Sequence, residues 1–124
     1  MESLWIETTK NKINLKSLEG NEETEVCVIG GGLFGLTTAY YLTKCGKKVI
    51  VLEKGEIGSK VSGNTTGKIT SQHDLFYAHL IDDYGEEYAK KYLEANEKAI
   101  ENIKQIIKEE QIDCDFSMQK SYVY

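Results

Sequence analysis

Proline is absent from this sequence, so no stiff extended linker divides it. Cysteine is sparse and oddly numbered: Cys27, Cys45 and Cys114 are widely spaced, with no Cys-x-x-Cys. That pattern excludes a disulfide framework and argues against a cysteine-based metal site. It fits three reduced structural thiols in a cytoplasmic protein. Cys27 falls inside the first strand pattern and is expected to be buried there as a small hydrophobe. No apolar run approaches the ~20 residues of a membrane span. The start, Met1-Glu-Ser-Leu-Trp-Ile-Glu7, has neither a basic region nor an apolar core, so no secretory signal is expected. A basic stripe is also missing. The net charge is -5 and the lysines are interspersed with acids, which disfavours nucleic acid as a partner. There is no internal repeat and no low-complexity segment.

What is present is a glycine-rich turn between two apolar runs. Val26-Cys-Val-Ile29 is followed by Gly30-Gly31-Gly32-Leu33-Phe34-Gly35, then a helical pattern, then Val49-Ile-Val-Leu-Glu53. Gly30, Gly32 and Gly35 have the G-x-G-x-x-G spacing, and Glu53 stands 23 residues after Gly30. These are the parts of a dinucleotide-binding βαβ unit in their expected order. Gly30 permits the tight turn out of the strand, Gly32 lets a pyrophosphate approach the backbone, and Gly35 lets the helix pack close to the sheet. The helix start aims unpaired N–H groups at the phosphates. Glu53 can accept hydrogen bonds from ribose hydroxyls, and its charge disfavours the 2′-phosphate of NADP. The fingerprint by itself does not separate FAD from NAD.

Other elements follow from periodicity and punctuation. Residues 1–24 read as a polar, extended lead lying on the surface. Glu25–Ile29 reads as a parallel strand covered on both faces. Leu33–Cys45 reads as a helix ended by Gly46 at the left-handed C′ position, with Lys44, Lys47 and Lys48 at its negative end. Lys48–Glu53 is the second strand. Lys54–Ser71 is an irregular loop with room for a short helical turn, and ordered loops of that length are usually functional. His73–Tyr84 reads as a short helix and Glu86–Glu110 as a long one. In the long helix Tyr88, Tyr92, Ala95, Ala99, Ile103 and Ile106 are expected to face inward, with Glu94–Lys98 as a surface pair. Ile112–Phe116 and Tyr122–Tyr124 read as strands. The fold class is therefore α/β: a partial Rossmann-like FAD/NAD(P)-binding fold, βαβ plus a long helix, with an incomplete parallel sheet. Residues 25–124 are its domain portion.

The segment after Glu53 is small and hydroxyl-rich, where a nicotinamide enzyme usually passes quickly into another helix. There the sequence resembles the FAD-dependent oxidoreductases related to D-amino-acid and glycine oxidases. It resembles most the bacterial subgroup with a C-terminal Rieske iron–sulfur domain. The resemblance rests on Val-Ile-Gly-Gly-Gly-x-x-Gly with Thr37, Thr38, Ala39 and Tyr40. It continues through Val-x-Val-Leu-Glu53, Ile57-Gly58-Ser59 and Gly63-x-Thr65-Thr66-x-Lys68-Ile-Thr-x-Gln72-His73. Tyr84-Gly85-Glu86, the Glu94-Ala95-Asn96 helix and the terminal Tyr-Val-Tyr extend it more weakly. It covers nearly the whole chain and about the first quarter of such an enzyme. Lys60-Val61 departs from it, because the family favours small residues there, and so the local loop path differs.

The resemblance implies FAD as cofactor. Gly30, Gly31, Gly32, Leu33, Phe34 and Gly35 would hold its pyrophosphate. Glu53 would bind the adenosine ribose, with Lys54 beside it, and Thr65, Thr66, Gly67 and Lys68 would pass along the flavin. His73 and His79 are expected to be ordinary polar residues near a helix start. No nucleophile with its base is evident, and no Cys-x-His or Cys-x-x-His pattern could hold the Rieske cluster. Three readings stand together. The chain is the N-terminal segment of a flavin-dependent oxidoreductase for a small amine or amino-acid-like substrate, shortened or split from a missing C-terminal domain or subunit and inactive alone. It is a stand-alone nucleotide-binding module. Or it is a partner-docking protein.

Overall fold

A computed structural model describes residues 3–9 and 15–122. The elements are α1 (Leu4–Thr9), β1 (Val26–Ile29), α2 (Leu33–Lys44), β2 (Val49–Leu52), a 3-10 turn (Ser62–Asn64), α3 (Phe76–Tyr84) and α4 (Glu86–Glu109). They fall into two compact units, Met1–Thr66 and Gly67–Tyr124.

In the first unit β1 and β2 form a two-stranded parallel sheet, pairing Val26 with Val49 and Ile29 with Leu52. A parallel pair needs a crossover, and α2 supplies it. At one end of the sheet the Glu25 carboxylate accepts the Lys48 amide at 2.8 Å and the Lys47 ammonium at 3.0 Å. At the other end the Gly30 amide donates to Leu52 O at 2.7 Å. Helix α2 closes as expected: Gly46 sits at φ +78°. Its amide bonds Thr43 O, and the Lys47 amide bonds Leu42 O, which is the Schellman arrangement. Inside α2, the hydroxyls of Thr37, Thr38 and Thr43 donate to the carbonyls four residues back, which satisfies them without a partner outside the helix.

Three expectations change in this unit. The lead is not wholly extended, because Leu4–Thr9 forms a helical turn; residues 1, 2 and 10–14 lie outside the described residues. Strand β1 is not covered on both faces. Val26 and Val28 are half-buried, while Cys27 and Ile29 are exposed, Ile29 by 87%. Cys27 is thus not a core residue. The physical reason is the sheet's width: Val28 points toward α2 at Gly35, and a two-stranded sheet with one crossover helix leaves the opposite side chains uncovered.

The second unit is a helical pair. Helices α3 and α4 pack through buried Leu80 and Ala89 and an aromatic cluster in which Tyr92 meets Phe76 and Tyr77 edge-on, with centroids at 5.5 and 5.9 Å. Helix α3 starts later than expected, because Asp74 takes φ +52°, which helical backbone does not allow. Half of the expected inward face of α4 is covered: Tyr92, Ile103 and Ile106. Ala89, Asn96, Ile100 and Ile107 join them, whereas Tyr88, Ala95 and Ala99 are exposed. The covered residues keep three-and-four spacing, and Ala95 and Ala99 are the expected residues left outside it. Asn96 is tolerated because its amide donates to Tyr92 O at 2.8 Å. On the surface Glu94 pairs back to Lys90 at 3.9 Å, not forward to Lys98. Beyond α4, Ile112–Phe116 is not a strand. Gln111 and Asp115 both adopt φ +51°, and its unit contains no strand among the described residues. Tyr122 lies in no strand, and Val123 and Tyr124 lie outside the described residues.

Gly35 is the residue on which the strand–helix packing turns. A Cβ there would lie 2.0 Å from Gly30 O, a backbone atom that cannot swing aside. Gly35→Ala is therefore expected to destabilise the chain by about 3 kcal/mol, the upper part of the usual overpacking range, read as a lower urea midpoint. An unchanged midpoint would contradict this packing.

Candidate functional site

The turn between β1 and α2 is built from backbone groups. Gly30 has φ +105°, which L side chains rarely adopt, and lets the chain leave the strand and enter the helix at once. Gly31 is buried, and a Cβ on it would meet Ile57 Cδ1 at 2.9 Å and Glu53 Cβ at 3.1 Å. Ile57 and the end of β2 thus wrap the turn closely enough to exclude any side chain.

Glu53 sits at the centre. One carboxylate oxygen accepts the Gly31 amide at 2.7 Å, and the other accepts the Gly55 amide at 2.9 Å. These bonds, first that from Gly31 and then that from Gly55, hold its carboxyl below the ordinary glutamate value, and the Lys60 charge adds to the effect. Each oxygen retains lone-pair capacity for a further donor such as a ribose hydroxyl. Glu53 therefore has a structural task in addition to the one read from sequence: it ties the glycine turn to the loop after β2. The Gly58 amide reinforces that tie by donating to Gly31 O at 3.0 Å.

Helix α2 has no capping side chain on its N-cap residue, Gly32. The cap comes from the loop instead: Ser62 Oγ accepts the Leu33 amide at 2.8 Å. The amides of Gly32, Phe34 and Gly35 find no protein acceptor among the described residues. They are orphan donors of a helix first turn, beside a glycine cradle that no Cβ fills. That arrangement fits an anionic diphosphate, both by its donors and by the helix dipole. Leu33 and Phe34 project into solvent, 71% and 88% exposed.

The expected residues divide as follows. Gly30, Gly31, Gly32, Leu33, Phe34, Gly35 and Glu53 come together at the carboxyl end of the strands. Lys54 is exposed beside Glu53. Thr65 and Thr66 end the first unit, and the Thr65 carbonyl accepts the Trp5 indole N–H at 2.7 Å. Gly67, at φ +71°, and Lys68 open the second unit, where Lys68 Nζ lies 3.5 Å from Ser121 Oγ. The sequence reading missed Ser62, Ile57 and Trp5. Ser62 lies in the hydroxyl-rich loop already marked as functional, but a cap reaching back 29 residues leaves no local signal. His73 is more enclosed than expected. Its ring packs edge-on to Phe76 and Tyr92, and its Nδ1 is buried without a hydrogen-bond partner. His79 is exposed on α3. Among the described residues there is no cluster of three or more His, Cys, Asp or Glu that could hold a metal. No helix described is long and apolar enough to cross a membrane.

A parallel βαβ unit with a glycine turn, an acid at the end of the second strand and free first-turn amides defines the dinucleotide-binding class. Comparison with known proteins specifies which one. Residues 25–124 match the family described as FAD dependent oxidoreductase, and the chain belongs to that family. Its cofactor is FAD. Relatives include the Bacillus subtilis protein YhfW, which carries the name of a Rieske 2Fe-2S iron-sulfur protein, at 40% identity over 99% of this chain and 24% of the relative. They also include gamma-glutamylputrescine oxidoreductase of Escherichia coli, at 35% identity over 74% of this chain and 22% of that protein. Glycine oxidase of Bacillus licheniformis is 44% identical over 36% of this chain and 12% of that enzyme. The resemblance read from the motifs is thereby borne out. The chain spans about a quarter of the length of YhfW. No solved structure matches it.

Two carboxylates bracket the βαβ unit, and both are held below the ordinary value of 4.5: Glu25 by the Lys48 amide and Lys47, Glu53 by the Gly31 and Gly55 amides. A lowered folded-state value means that the stabilisation is complete above the unfolded value. It is lost as pH falls through the folded one. Stability is expected to be flat down to about pH 5 and to decline below it, with both carboxyl carbons titrating late in a carbon-detected NMR series. Titration of Glu53 at or above the ordinary value would show that the Gly31 bond is not formed.

Proposed function

We propose that residues 25–124 are the N-terminal portion of the FAD-binding domain of a flavin-dependent oxidoreductase, with residues 1–24 as an extension of it. In this reading Gly30, Gly31, Gly32, Leu33, Phe34 and Gly35 hold the pyrophosphate, Glu53 the adenosine ribose with Lys54 beside it, and Thr65, Thr66, Gly67 and Lys68 follow the flavin. The observation that carries it is the set of unpaired amides at Gly32, Phe34 and Gly35 next to the Glu53 carboxylate. When bound, FAD supplies two-electron chemistry, accepting hydride from a substrate. The residues of this chain bind and orient it.

The substrate we propose is a small amine or amino acid, by analogy with the names of the gamma-glutamylputrescine oxidoreductase and glycine oxidase relatives. No residue set among the described residues resembles a substrate site, so in this reading turnover depends on the remainder of a family-length protein, whether joined, split or separate. Four large apolar side chains around the turn and its capping loop favour such a cover: Ile29, Leu33, Phe34 and Val61 are 71–88% exposed. The same exposure favours a second reading, a cofactor-binding module that docks on a partner and catalyses nothing itself. Cytoplasmic residence is part of the proposal.

Calorimetry on the purified chain tests the reading. FAD is expected to bind and NADP to bind far more weakly. Glu53→Ala is expected to weaken FAD by about tenfold or more, the loss of a hydrogen bond to a charged group. A helical, monodisperse sample that takes up no FAD would overturn it.

A further inference from the structure

The short helix α1 lies outside the family match, yet it is attached to the loop that the proposed function assigns to the flavin. Ser3 Oγ donates to Gly63 O, and Trp5 Nε1 donates to Thr65 O at 2.7 Å. Ile6 fills the space beside Gly63, where a Cβ would stand 3.0 Å from Ile6 Cγ1. Gly63 is buried under this contact and has no room for any side chain, since Gly58 O lies 2.4 Å from the same Cβ position. The hydrogen bonds span 60 residues of sequence. A helix of six residues is too short to persist by itself in water, and α1 buries none of its own residues. Its persistence therefore rests on these contacts, and the position of the loop rests on them in turn.

We infer that α1 is a positioning element for the cofactor loop: Ser3, Trp5 and Ile6 fix the carbonyls of Gly63 and Thr65 so that Thr65 and Thr66 are held in place before FAD arrives. Two carbonyls gripped two residues apart fix the path of the segment between and just beyond them. An unanchored loop would lose that order, and binding would have to restore it at an entropic cost. The sequence contains a single tryptophan, and its only polar atom is used in this grip. The glycine turn is tied to Glu53 by the Gly31 and Gly55 amide bonds, which involve no residue of α1 or of the segment it grips. The adenosine diphosphate end of the cofactor should therefore not depend on α1.

This inference rests on the proposed flavin role of Thr65 and Thr66, and the test separates the two. The chain and its Ser3→Ala, Trp5→Phe double variant are titrated with ADP and with FAD. Phenylalanine keeps the apolar ring and removes the indole N–H. FAD affinity is expected to fall about tenfold, the worth of one to two neutral hydrogen bonds, while ADP affinity is unchanged. The FAD-over-ADP preference is a readout that general loosening would not shift, because loosening weakens both ligands alike. If FAD and ADP weaken in proportion, or neither changes, α1 does not position the loop, and the FAD site stands without it. If the parent chain binds ADP and FAD equally, the flavin role of the loop falls, and the inference with it. If it binds neither, the proposed function itself is wrong.

Discussion

Both oxygens of Glu53 accept backbone amides, one from the glycine turn after β1 and one from the loop after β2. Much else depends on this pairing. Gly31 has no room for a side chain because Glu53 and Ile57 are pressed against it. The loop that Glu53 gathers carries Ser62 to the start of α2, where its hydroxyl takes the Leu33 amide. With Leu33 capped and Gly31 engaged by the carboxylate, the amides left over are those of Gly32, Phe34 and Gly35. The acid that ends β2 thus also decides, together with Ser62, which first-turn amides remain without a protein acceptor. Binding in such a site needs little reorganisation, which is where preorganised sites gain affinity.

Glu25 performs the matching task at the opposite end of the sheet. It joins the start of β1 to Lys47 and Lys48 at the start of β2. A two-stranded sheet with few buried side chains has little hydrophobic area to hold its register. Carboxylates at both ends fix that register by charge-assisted hydrogen bonds, which are stronger than neutral ones. Ile29, Leu33 and Phe34 remain exposed where β1 ends and α2 begins. The small size of the core and the openness of the site have one origin: the chain holds one βαβ unit of a fold that is several units wide in its class.

The βαβ unit was legible because its signals are local. A β-branched run, three glycines at fixed spacing, a glycine at the helix C′ position and an acid ending the second run are each contained within a few residues. What was illegible depends on partners far away in sequence. Ser62 caps a helix 29 residues earlier, and Trp5 reaches a carbonyl 60 residues later. Cys27 looked buried because a strand of that composition is normally covered on both sides, and sheet width cannot be read from the strand itself. On α4, Tyr92, Ile103 and Ile106 are covered as their spacing implies, while Tyr88, Ala95 and Ala99 are not, because which neighbours of a stripe are covered depends on the segments packed against it and not on the helix itself. Ile112–Phe116 has strand composition, but a strand requires a neighbour to pair with.

The central claim is that Glu53 sets the donor pattern of the site before any cofactor is present. Amide hydrogen exchange on the ligand-free chain, resolved by residue, tests it most directly. The account predicts slow exchange at Gly31 and Gly55, whose amides are bound to the carboxylate, and fast exchange at Gly32, Phe34 and Gly35. Fast exchange at Gly31, at the rate of its neighbours, would contradict it.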